Sequence, residues 1–566
     1  MADNAVIAGE LVRERPWLKS YPPGVPADIE PLPDSSLAAF FDRCCAVNGT
    51  RTAYHSLGAT LSFAALQEKA TAIGAYLQSL GLEKGDRVGV MLPNILQNPV
   101  TVFGILKAGL IVVNINPLYT PRELEYQLKD SGAKAIVVLE NFAHTLSQVV
   151  ARTAVRHVVV ASMGDMLGLK GHVVNLVVRR VKKLVPAWSL PGHVPFRTAL
   201  VKGTAMALSP VSMTPQDVAF LQYTGGTTGI SKGATLTHAN LMANIAQMSL
   251  WVETAFLRKP RPDPLVFLCA LPLYHIFALT VNALMGLALG GSNVLIPNPR
   301  DIPAFVKELR RHRIVIFPGL NTLFNALMNN RDFQTLDFSA LTLTFGGGMA
   351  VQRPVAERWE AMTGCPIKEG YGLSETAPVA TANRLDLPDF TGAIGLPLSS
   401  TEVEIRDDDG RPLALGEIGE ICIRGPQVMR GYWNRPEETA AAIFPDGFFR
   451  TGDIGLMTAA GLVKIVDRKK DMILVSGFNV FPNEIEEVVM MLPGVRECAV
   501  VGVEDRHSGE AVKLFVVKSD DALDEAAIRA HCAVHLTNYK RPRIIEFRPE
   551  LPKSNVGKIL RKDLRS

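Results

Sequence analysis

Residues 221–241 read LQYTGGTTGISKGATLTHANL and place glycines and threonines ahead of a lysine, between an apolar run and a helix-like stretch. Glycines allow backbone N–H groups to approach an oxyanion closely, while threonine hydroxyls add donors and a lysine adds positive charge. A Walker A loop needs glycine directly before its lysine and Ser or Thr after it, whereas Lys232 stands between Ser231 and Gly233. The stretch therefore predicts a phosphate-binding loop of a different kind, with an ordinary surface loop as the alternative. Its candidate ligands are Thr224, Gly225, Gly226, Thr227, Thr228, Gly229 and Lys232.

Three later segments carry side chains that suit the rest of a nucleotide. Residues 369–379, EGYGLSETAPV, combine an aromatic ring, a glycine turn, a carboxylate and hydroxyls, which suit base stacking and a magnesium-bound phosphate. Asp453 lies in a predicted turn where its carboxylate can accept two ribose hydroxyl protons, and a basic run follows at 468–470; an Asx-turn and a solvated face are the alternatives. Lys558 follows a glycine-containing loop near the chain end, where a lone lysine would ordinarily face solvent.

These candidate residues need a scaffold, and the pattern of the first 395 residues indicates an α/β one. Helix-like segments such as 63–81, and a helix start at Thr120 with proline next, alternate with β-rich runs. The β-rich runs lie at 87–93, 134–140 and 157–162. This alternation predicts parallel sheets covered by helices. Beyond about residue 395, short strands and turns predict a smaller β-rich module, followed by a mixed α/β segment.

Composition excludes several classes of protein. A chain of 566 residues exceeds what one hydrophobic core usually supports, so we expect two or more domains. The 59 basic and 55 acidic residues are too evenly balanced for a protein that binds nucleic acid over a broad basic face, so no nucleic-acid partner is expected. Seven scattered cysteines without metal-ligand spacing indicate a reducing compartment. With no apolar core of signal-peptide length at the N-terminus, the expected location is the cytoplasm.

The most apolar stretch of the chain, 266–291, approaches the length of a membrane span. Pro272, Tyr274, His275 and Asn282 interrupt it, which favours a buried strand, loop and helix over a membrane-spanning helix.

In their order and spacing, the four motif-bearing segments resemble the acyl-adenylate-forming superfamily, which contains acyl-CoA synthetases, luciferase and the adenylation domains of peptide synthetases. The resemblance covers nearly the whole chain. The segments YTGGTTGISKGATLTHANL and DGFFRTGDIG…GLVKIVDRKKDMILVSGFNVFPNEIE look most like bacterial long-chain fatty acid–CoA ligases. Gly225 stands where many relatives have Ser, Ser231 where many have Pro, and Phe448 where the fatty-acyl signature usually has Trp. These departures bear on chain length more than on the class of reaction.

The resemblance implies how the site would hold ATP and Mg²⁺. Thr224 and the loop that follows it would line the pyrophosphate. Thr224 is also one of the predicted catalytic residues. Tyr371 would pack on adenine, Thr376 would touch the α-phosphate and Glu375 would hold Mg²⁺. Lys558 would reach both the substrate carboxylate and the α-phosphate, cancelling the repulsion between them. The remaining nucleotide contacts would come from Gly346, Gly347, Gly348 and Gly372 around the base and from Asp453 and Arg468 at the ribose.

The resemblance also implies a C-terminal domain that reorients about Lys470 between two half-reactions. In the second pose the loop around Gly477 would line the path of the coenzyme A pantetheine arm, where a residue without a side chain leaves room. The implied domains are 1–469, which contains the β-rich module at about 395–466, and 470–566, a small mobile α+β domain.

The acyl pocket is assigned from a further similarity. Residues 272–280, PLYHIFALT, resemble the segment that shapes the acyl channel and its gate, with His275 at the mouth. A hydrogen-bonded core histidine is an equally valid interpretation. The other candidate channel residues are Phe277, Phe317, Gly319 and Thr322.

The function implied is ATP-dependent activation of a long-chain fatty acid to acyl-AMP, followed by thioester formation with coenzyme A. Three alternatives stay open: a ligase for medium-chain or aromatic acids, an acyl-AMP ligase that loads a carrier protein, and a non-catalytic adenylate-binding sensor. The expected partners are fatty acid, ATP and coenzyme A, while a homodimer is left open.

Residues 173–188, VVNLVVRRVKKLVPAW, combine apolar residues with Arg179, Arg180, Lys182 and Lys183. This composition suits an interfacial helix that lies on anionic lipid at the inner face of the membrane. A surface helix docked on its own domain is the alternative, because the apolar residues are not confined to one face.

Overall fold

A computed structural model describes residues 15–224, 231–476, 478–505, 508–554 and 557–565. Its largest sheet contains nine strands in the order β16-β15-β14-β13-β12-β10-β11-β1-β2. The middle of this sheet, from β14 to β1, is parallel, and antiparallel strands extend it at both edges. Its strands are β1 (Thr52–Ser56), β2 (Ala59–Ser62), β10 (Val266–Cys269), β11 (Ser292–Leu295), β12 (Ile316–Gly319), β13 (Leu343–Gly346), β14 (Ile367–Gly372), β15 (Val379–Ala382) and β16 (Leu396–Pro397).

A second sheet contains eight strands in the order β19-β9-β8-β4-β3-β5-β6-β7. Its strands from β8 to β7 are parallel, while β9 and β19 are antiparallel to their neighbours. They are β3 (Arg87–Met91), β4 (Ile111–Asn114), β5 (Ala135–Leu139), β6 (His157–Ala161), β7 (Val194–Pro195), β8 (Val218–Thr224), β9 (Lys232–Thr237) and β19 (Gly431–Tyr432). The expected parallel sheets are therefore confirmed, with antiparallel additions that alternation alone did not predict.

Two smaller sheets complete the structure. A four-stranded antiparallel sheet contains β17 (Glu402–Arg406), β18 (Gly419–Arg424), β20 (Phe449–Met457) and β21 (Val463–Arg468). The last sheet contains β22 (Ile473–Val475), β23 (Phe478–Val480), β24 (Val495–Asp505), β25 (Gly509–Lys518) and β26 (Ile544–Phe547), of which only β25 and β26 pair in parallel. Of the segments between about 395 and 466, β16 and β19 join the two large sheets instead of the small one.

Helices follow most strands of the two large sheets and cover the apolar faces that the parallel strands present. Helix α2 occupies the range expected from the sequence, and Thr120 and Glu123 form a complete capping box at the start of α4. The α-helices are α1 (Leu37–Asn48), α2 (Phe63–Ser79), α3 (Gln97–Lys107), α4 (Pro121–Ser131), α5 (Ala143–Ser147), α6 (Lys170–Leu176), α7 (Phe196–Thr204), α8 (His238–Glu253), α9 (Ile276–Ala278), α10 (Met285–Ala288), α11 (Ile302–Leu309), α12 (Asn321–Met328), α13 (Arg353–Thr363), α14 (Pro436–Ala442), α15 (Pro482–Met490) and α16 (Glu525–His535).

The apolar stretch 266–291 folds as β10, a loop, and the helical segments α9, Leu279–Leu284 and α10, as expected. Among the described residues, no helix combines the length and the apolar character needed to cross a membrane.

The expectation of one helix over 173–188 is wrong. Helix α6 ends at Leu176 and continues only as a wide π-type turn, Val177–Val181. Lys183 then adopts a φ of +49°, a left-handed conformation that stops the helix, before Pro186 restricts the residue that precedes it.

Candidate functional site

Asp453, Arg468 and Tyr371 form a polar cluster at the junction of two sheets, in which Asp453 and Tyr371 are buried and the Arg468 side chain is 46% exposed. Asp453 on β20 lies directly opposite Arg468 on β21, and Nε of Arg468 is 3.2 Å from Oδ1 of Asp453. The Tyr371 hydroxyl, at the end of β14, donates to Oδ2 of Asp453 at 2.5 Å. Burial and the Asp453 carboxylate raise the pKa of Tyr371. The antiparallel register therefore holds Asp453 and Arg468, the two residues predicted to bind ribose, next to each other. The hydrogen bond from Tyr371 links this pair to the large sheet.

The turn at Asp453 differs from the Asx-turn named as the alternative, because it is built on the hydroxyl of Thr451. The Asp453 N–H donates to that hydroxyl at 3.1 Å, while the Asp453 side chain is 5% exposed and bonds to Tyr371. The carboxylate is therefore not used to build the turn.

Glu375 and Thr376 occupy a short 3-10 turn, Ser374–Thr376, directly after β14. The Glu375 side chain is buried, its Oε1 accepts a hydrogen bond from the Tyr432 hydroxyl at 2.8 Å, and burial raises the pKa of its carboxyl group. Thr376 donates its hydroxyl proton to the backbone carbonyl of Pro378 and accepts from the N–H of Leu373 at 2.9 Å. The turn thus fixes the carboxylate and the hydroxyl side by side.

Lys558 lies next to this cluster although it is far away in sequence. The preceding residue, Gly557, accepts a hydrogen bond from the Thr322 hydroxyl at 3.3 Å. A methyl group placed on Gly348 would lie 3.4 Å from Cε of Lys558, so the lysine stem packs on the glycine-rich turn after β13. Gly348 has a φ of +76°, which favours glycine at this close approach.

The surroundings of Lys558 change its acidity. Burial, followed by repulsion from Arg468, lowers the pKa of the Lys558 ammonium to about 8, although Asp453 and Glu375 act in the opposite direction. Burial and the nearby Lys558 lower the pKa of His275 to about 3, so this histidine is neutral near pH 7. The charges of four predicted site residues therefore act on one another within one region of the molecule.

Of the candidate residues of the phosphate-binding loop, the structure describes only the two at its ends, Thr224 and Lys232. Thr224 ends β8 and Lys232 begins β9, and the two residues are register partners. The Ser231 hydroxyl donates to the Thr224 carbonyl, and the Lys232 ammonium lies 5.2 Å from the centre of the Tyr432 ring. The candidates Gly225, Gly226, Thr227, Thr228 and Gly229 lie outside the described residues.

Two glycines of the predicted adenine pocket have no room for a side chain. A Cβ on Gly372 would lie 1.8 Å from the Pro378 carbonyl oxygen, and one on Gly346 would lie 2.5 Å from a methyl group of Val351. A Cβ on Gly347 would lie 3.1 Å from the ring of Phe277. These contacts explain why glycine occupies each position on packing grounds, independently of any ligand.

The acyl-channel candidates divide into two groups. His275 and Phe277 lie at the start of α9, where His275 Nδ1 accepts from the Phe277 N–H at 3.4 Å, and Thr322 contacts the Lys558 loop as described. Phe317 instead packs on Phe324 and Trp359 at ring-centre distances of 5.9 and 5.2 Å, and Gly319 faces Phe324. The structure brings the first group to the Lys558 region and places Phe317 in the core beneath α12 and α13.

The hinge candidate Lys470 is exposed and follows β21. Around it, Arg561 forms ion pairs with Glu486 at 2.8 Å, Asp471 at 3.4 Å and Asp467 at 3.6 Å. The segment just after Lys558 is thereby tied to both sides of the predicted hinge. Gly477 lies outside the described residues.

Two polar residues of this region were not predicted. Tyr432 contacts Glu375, and Glu369, whose Oε1 accepts from the Val351 N–H at 2.8 Å, supports the turn after β13. Burial raises the pKa of Glu369 to about 7. Glu369 begins the segment 369–379, so its proximity to Tyr371 in sequence was a signal for it. Nothing in the sequence connects Tyr432 with Glu375.

Comparison with known proteins identifies the class to which this fold and site belong. The AMP-binding enzyme family matches residues 41–433, and the AMP-binding enzyme C-terminal domain matches residues 484–558. The chain belongs to the AMP-binding enzyme family, as its resemblance to adenylate-forming enzymes predicted.

The chain is similar to individual proteins of this family. The chain is 54% identical to a long-chain-fatty-acid–CoA ligase of Yersinia pestis, with 98% of each chain covered. It is similar in structure to the anthranilate CoA ligase AuaEII in complex with anthranoyl-AMP, with 26% identity, a TM-score of 0.81, and 94% of this chain and 96% of that chain covered. The ATP-bound MatB of Rhodopseudomonas palustris gives 28% identity and a TM-score of 0.78, with 93% and 98% covered.

Proposed function

We propose that this protein activates a long-chain fatty acid with ATP and transfers the acyl group to coenzyme A. The observation that carries the proposal is the position of Lys558, whose ammonium interacts with the charges of Asp453, Glu375 and Arg468. The 54% identity to a long-chain-fatty-acid–CoA ligase over nearly the whole chain supports the substrate class.

The first half-reaction joins two anions. A carboxylate oxygen of the fatty acid attacks the α-phosphorus of ATP, the bond between the α- and β-phosphates breaks, and pyrophosphate leaves. Lys558 is suited to this step because a cation in a site sheltered from water reduces the repulsion between carboxylate and phosphate. Asp453 is suited to accept hydrogen bonds from the ribose hydroxyls, because Tyr371 and Arg468 hold its carboxylate in place.

Glu375 fits the metal that this reaction class uses. In the described part of the chain, no cluster of three or more His, Cys, Asp or Glu side chains is arranged to hold a metal ion. A single buried carboxylate next to a phosphate site nevertheless suits Mg²⁺, which is usually bound by one or two carboxylates together with substrate phosphates. When bound, Mg²⁺ would supply charge neutralisation on the phosphates.

In the second half-reaction the sulfur of coenzyme A attacks the acyl carbon, the thiol proton is lost, and AMP leaves. We propose that the domain from residue 470 onward reorients about Lys470 for this step, with 1–469 as the stationary part and Gly477 at the pantetheine path. The ion pairs of Arg561 with Asp471 and Glu486, both in that domain, support movement of the Lys558 segment together with the rest of it. The ion pair of Arg561 with Asp467 joins this segment to the stationary part, three residues before the hinge.

Pyrophosphate release tests the proposal directly. Purified enzyme would be supplied with saturated acids of increasing chain length, benzoate and anthranilate, each with and without coenzyme A. We expect the highest kcat/KM with long-chain acids and product thioester only with coenzyme A. Preference for anthranilate would favour the aromatic-acid alternative, which the structural similarity to AuaEII motivates. Release of acyl-AMP without thioester would favour a carrier-protein ligase, and the absence of turnover with every acid would favour a sensor.

We further propose that residues 169–184 form a surface that binds anionic membranes, from which fatty acids can be taken up. Five apolar side chains are more than half exposed there, and Arg180, Lys182 and Lys183 lie exposed among them. Apolar and basic side chains together suit the interface of an anionic bilayer. The apolar residues are Leu169, Val173, Leu176, Val181 and Leu184.

Arg179, the fourth basic residue named from the sequence, is 47% exposed but its charge is already paired. Its guanidinium forms an ion pair with the buried carboxylate of Glu140 at 2.8 Å and donates to the Ser162 hydroxyl at 2.9 Å. The basic contribution therefore comes from three residues instead of four.

Vesicle binding tests the surface. A variant with Arg180, Lys182 and Lys183 changed to Glu should lose at least about 3 kcal/mol of binding to phosphatidylglycerol vesicles, or about a hundredfold. Each lost basic residue accounts for about 1 kcal/mol, and each new carboxylate adds repulsion. Changing Val534, which is 79% exposed on α16, to Ser provides a control that should bind like the wild type. Equal binding by the charge variant and the wild type would exclude this surface. The homodimer and the cytoplasmic location stay predictions.

A further inference from the structure

Tyr432 contacts both charged groups that flank the predicted phosphate site. Its hydroxyl donates to Oε1 of Glu375 at 2.8 Å, and its ring lies 5.2 Å from the ammonium of Lys232. Glu375 is the carboxylate suited to Mg²⁺, and Lys232 is the lysine that closes the glycine- and threonine-rich loop. One half-buried side chain thus joins two groups of opposite charge that belong to different segments.

The backbone around Tyr432 fixes this arrangement. Strand β19 pairs with β9 so that Tyr432 is the partner of Ala234, two residues after Lys232. The Trp433 N–H donates to the Gly233 carbonyl at 2.8 Å, and the Met429 N–H donates to the Glu375 carbonyl at 2.7 Å. The segment 429–433 is therefore hydrogen-bonded to the backbone of Gly233, next to Lys232, and to the backbone of Glu375. Strand register holds the tyrosine between these two points.

The Tyr432 hydroxyl takes no part in the backbone pairing that holds this segment. The Tyr432 backbone N–H is satisfied separately, by the Thr439 hydroxyl at 2.9 Å. The side-chain hydroxyl has a buried carboxylate oxygen as its partner, and a hydrogen bond to an ionised acceptor in a buried place is stronger than a neutral one. Its effect is to restrict the orientation of the Glu375 carboxylate.

We propose that Tyr432 is a positioning residue that orients Glu375 for the catalytic divalent cation and holds Lys232 for the phosphates. This inference rests on the proposed function for the identity of the metal. Outer-sphere partners of metal-binding carboxylates orient them and commonly change metal affinity by a factor of about 10 to 100. The ring contributes separately, through the cation–π contact with Lys232.

A direct binding measurement tests the proposal without relying on turnover. Mn²⁺ serves as a paramagnetic probe, and electron paramagnetic resonance measures its binding in the presence of ATP and the absence of any acid. A protein-free titration first measures the Mn²⁺ that ATP alone binds, and this amount is subtracted. Tyr432→Phe keeps the ring and removes the hydroxyl, and we expect it to weaken Mn²⁺ binding about tenfold. Tyr223→Phe is the matched control, since the Tyr223 hydroxyl, on β8, donates to Asp130 of helix α4 at 2.6 Å. We expect this variant to leave Mn²⁺ binding unchanged.

A double-mutant cycle separates positioning from a general structural role. In a Glu375→Gln background, Tyr432→Phe should have little further effect on Mn²⁺ binding, because the group it orients no longer carries a charge. Tyr432→Leu removes the ring as well and should weaken ATP binding beyond the Tyr432→Phe variant.

The two proposals can fail separately. If Tyr432→Phe binds Mn²⁺ as tightly as the wild type, or weakens binding equally with and without Glu375, the positioning role is wrong even in an active ligase. If the wild type forms no acyl-AMP with any acid, the proposed function is wrong, while the Mn²⁺ measurement still decides whether Tyr432 acts through Glu375.

Discussion

Replacing Lys558 by arginine should remove the alkaline decline of the adenylation half-reaction. The Lys558 ammonium has a pKa lowered to about 8, so below that pH it is mostly charged and above it mostly neutral. Because adenylation needs the charged form, kcat/KM for ATP should fall as pH rises through about 8, by about tenfold for each further pH unit. From pH 7 to pH 9 the charged fraction changes from about nine tenths to about one tenth.

Arginine keeps its charge throughout this range, because its pKa exceeds about 12. Lys558→Arg should therefore adenylate more slowly than the wild type, because the guanidinium has a different shape, but with no loss of rate between pH 7 and pH 9. Lys558→Ala should lose at least about a hundredfold in acyl-AMP formation at pH 7, the magnitude seen on removing one charge contact of a transition state. It should still convert supplied acyl-AMP to acyl-CoA.

The assay is pyrophosphate exchange without coenzyme A, which isolates adenylation, at constant ionic strength and subsaturating ATP. Lys368 provides a matched control, since burial lowers its pKa also to about 8 while its ammonium donates to the Asp389 carbonyl at 2.8 Å. Lys368→Gln should keep the alkaline decline. The reasoning is refuted if the Lys558→Arg variant shows the wild-type decline, or if the Lys368→Gln variant loses it.

Two further substitutions test the C-terminal domain. Gly477→Leu should block thioester formation but leave pyrophosphate exchange near the wild-type rate, because the side chain would fill the pantetheine path; equal losses in both half-reactions would refute the two-pose mechanism. Arg561→Ala should lower the free energy of unfolding by about 3–5 kcal/mol, as removal of one partner of a buried ion pair does, because Asp467 and Glu486 lose their cation. Urea denaturation measures this change, and a loss below about 1 kcal/mol would contradict it.

Local patterns were sufficient for much of the scaffold. Strands β3, β5 and β6 and helix α2 lie where short apolar runs and helical periodicity placed them, since each is specified by neighbours in sequence. The addition of β19 to the edge of a large sheet could not be predicted, because a two-residue strand has no periodicity. The helical segment that begins at Lys170 stops after Val181, and the left-handed conformation of Lys183 that follows cannot be predicted from its residue type.

The candidate site shows the same division. Asp453 and Arg468 were selected from motifs, and a single antiparallel register brings them together. Phe317 was named as a candidate wall of the acyl channel, and in the structure its ring packs against Trp359. Tyr432 and Glu375 are 57 residues apart, and their contact arises from the pairing of β19 with β9, which no local signal encodes.

All seven cysteine side chains are buried, and burial raises the pKa of the Cys45 thiol to about 12. A thiol reagent added to the native protein should therefore react slowly with it and rapidly with free coenzyme A. Consumption of coenzyme A could then be followed continuously by thiol titration, with little background from the protein. A cysteine introduced at an exposed position such as Val534 would accept a fluorescent label selectively, so that movement of the C-terminal segment during turnover could be recorded without first removing native cysteines.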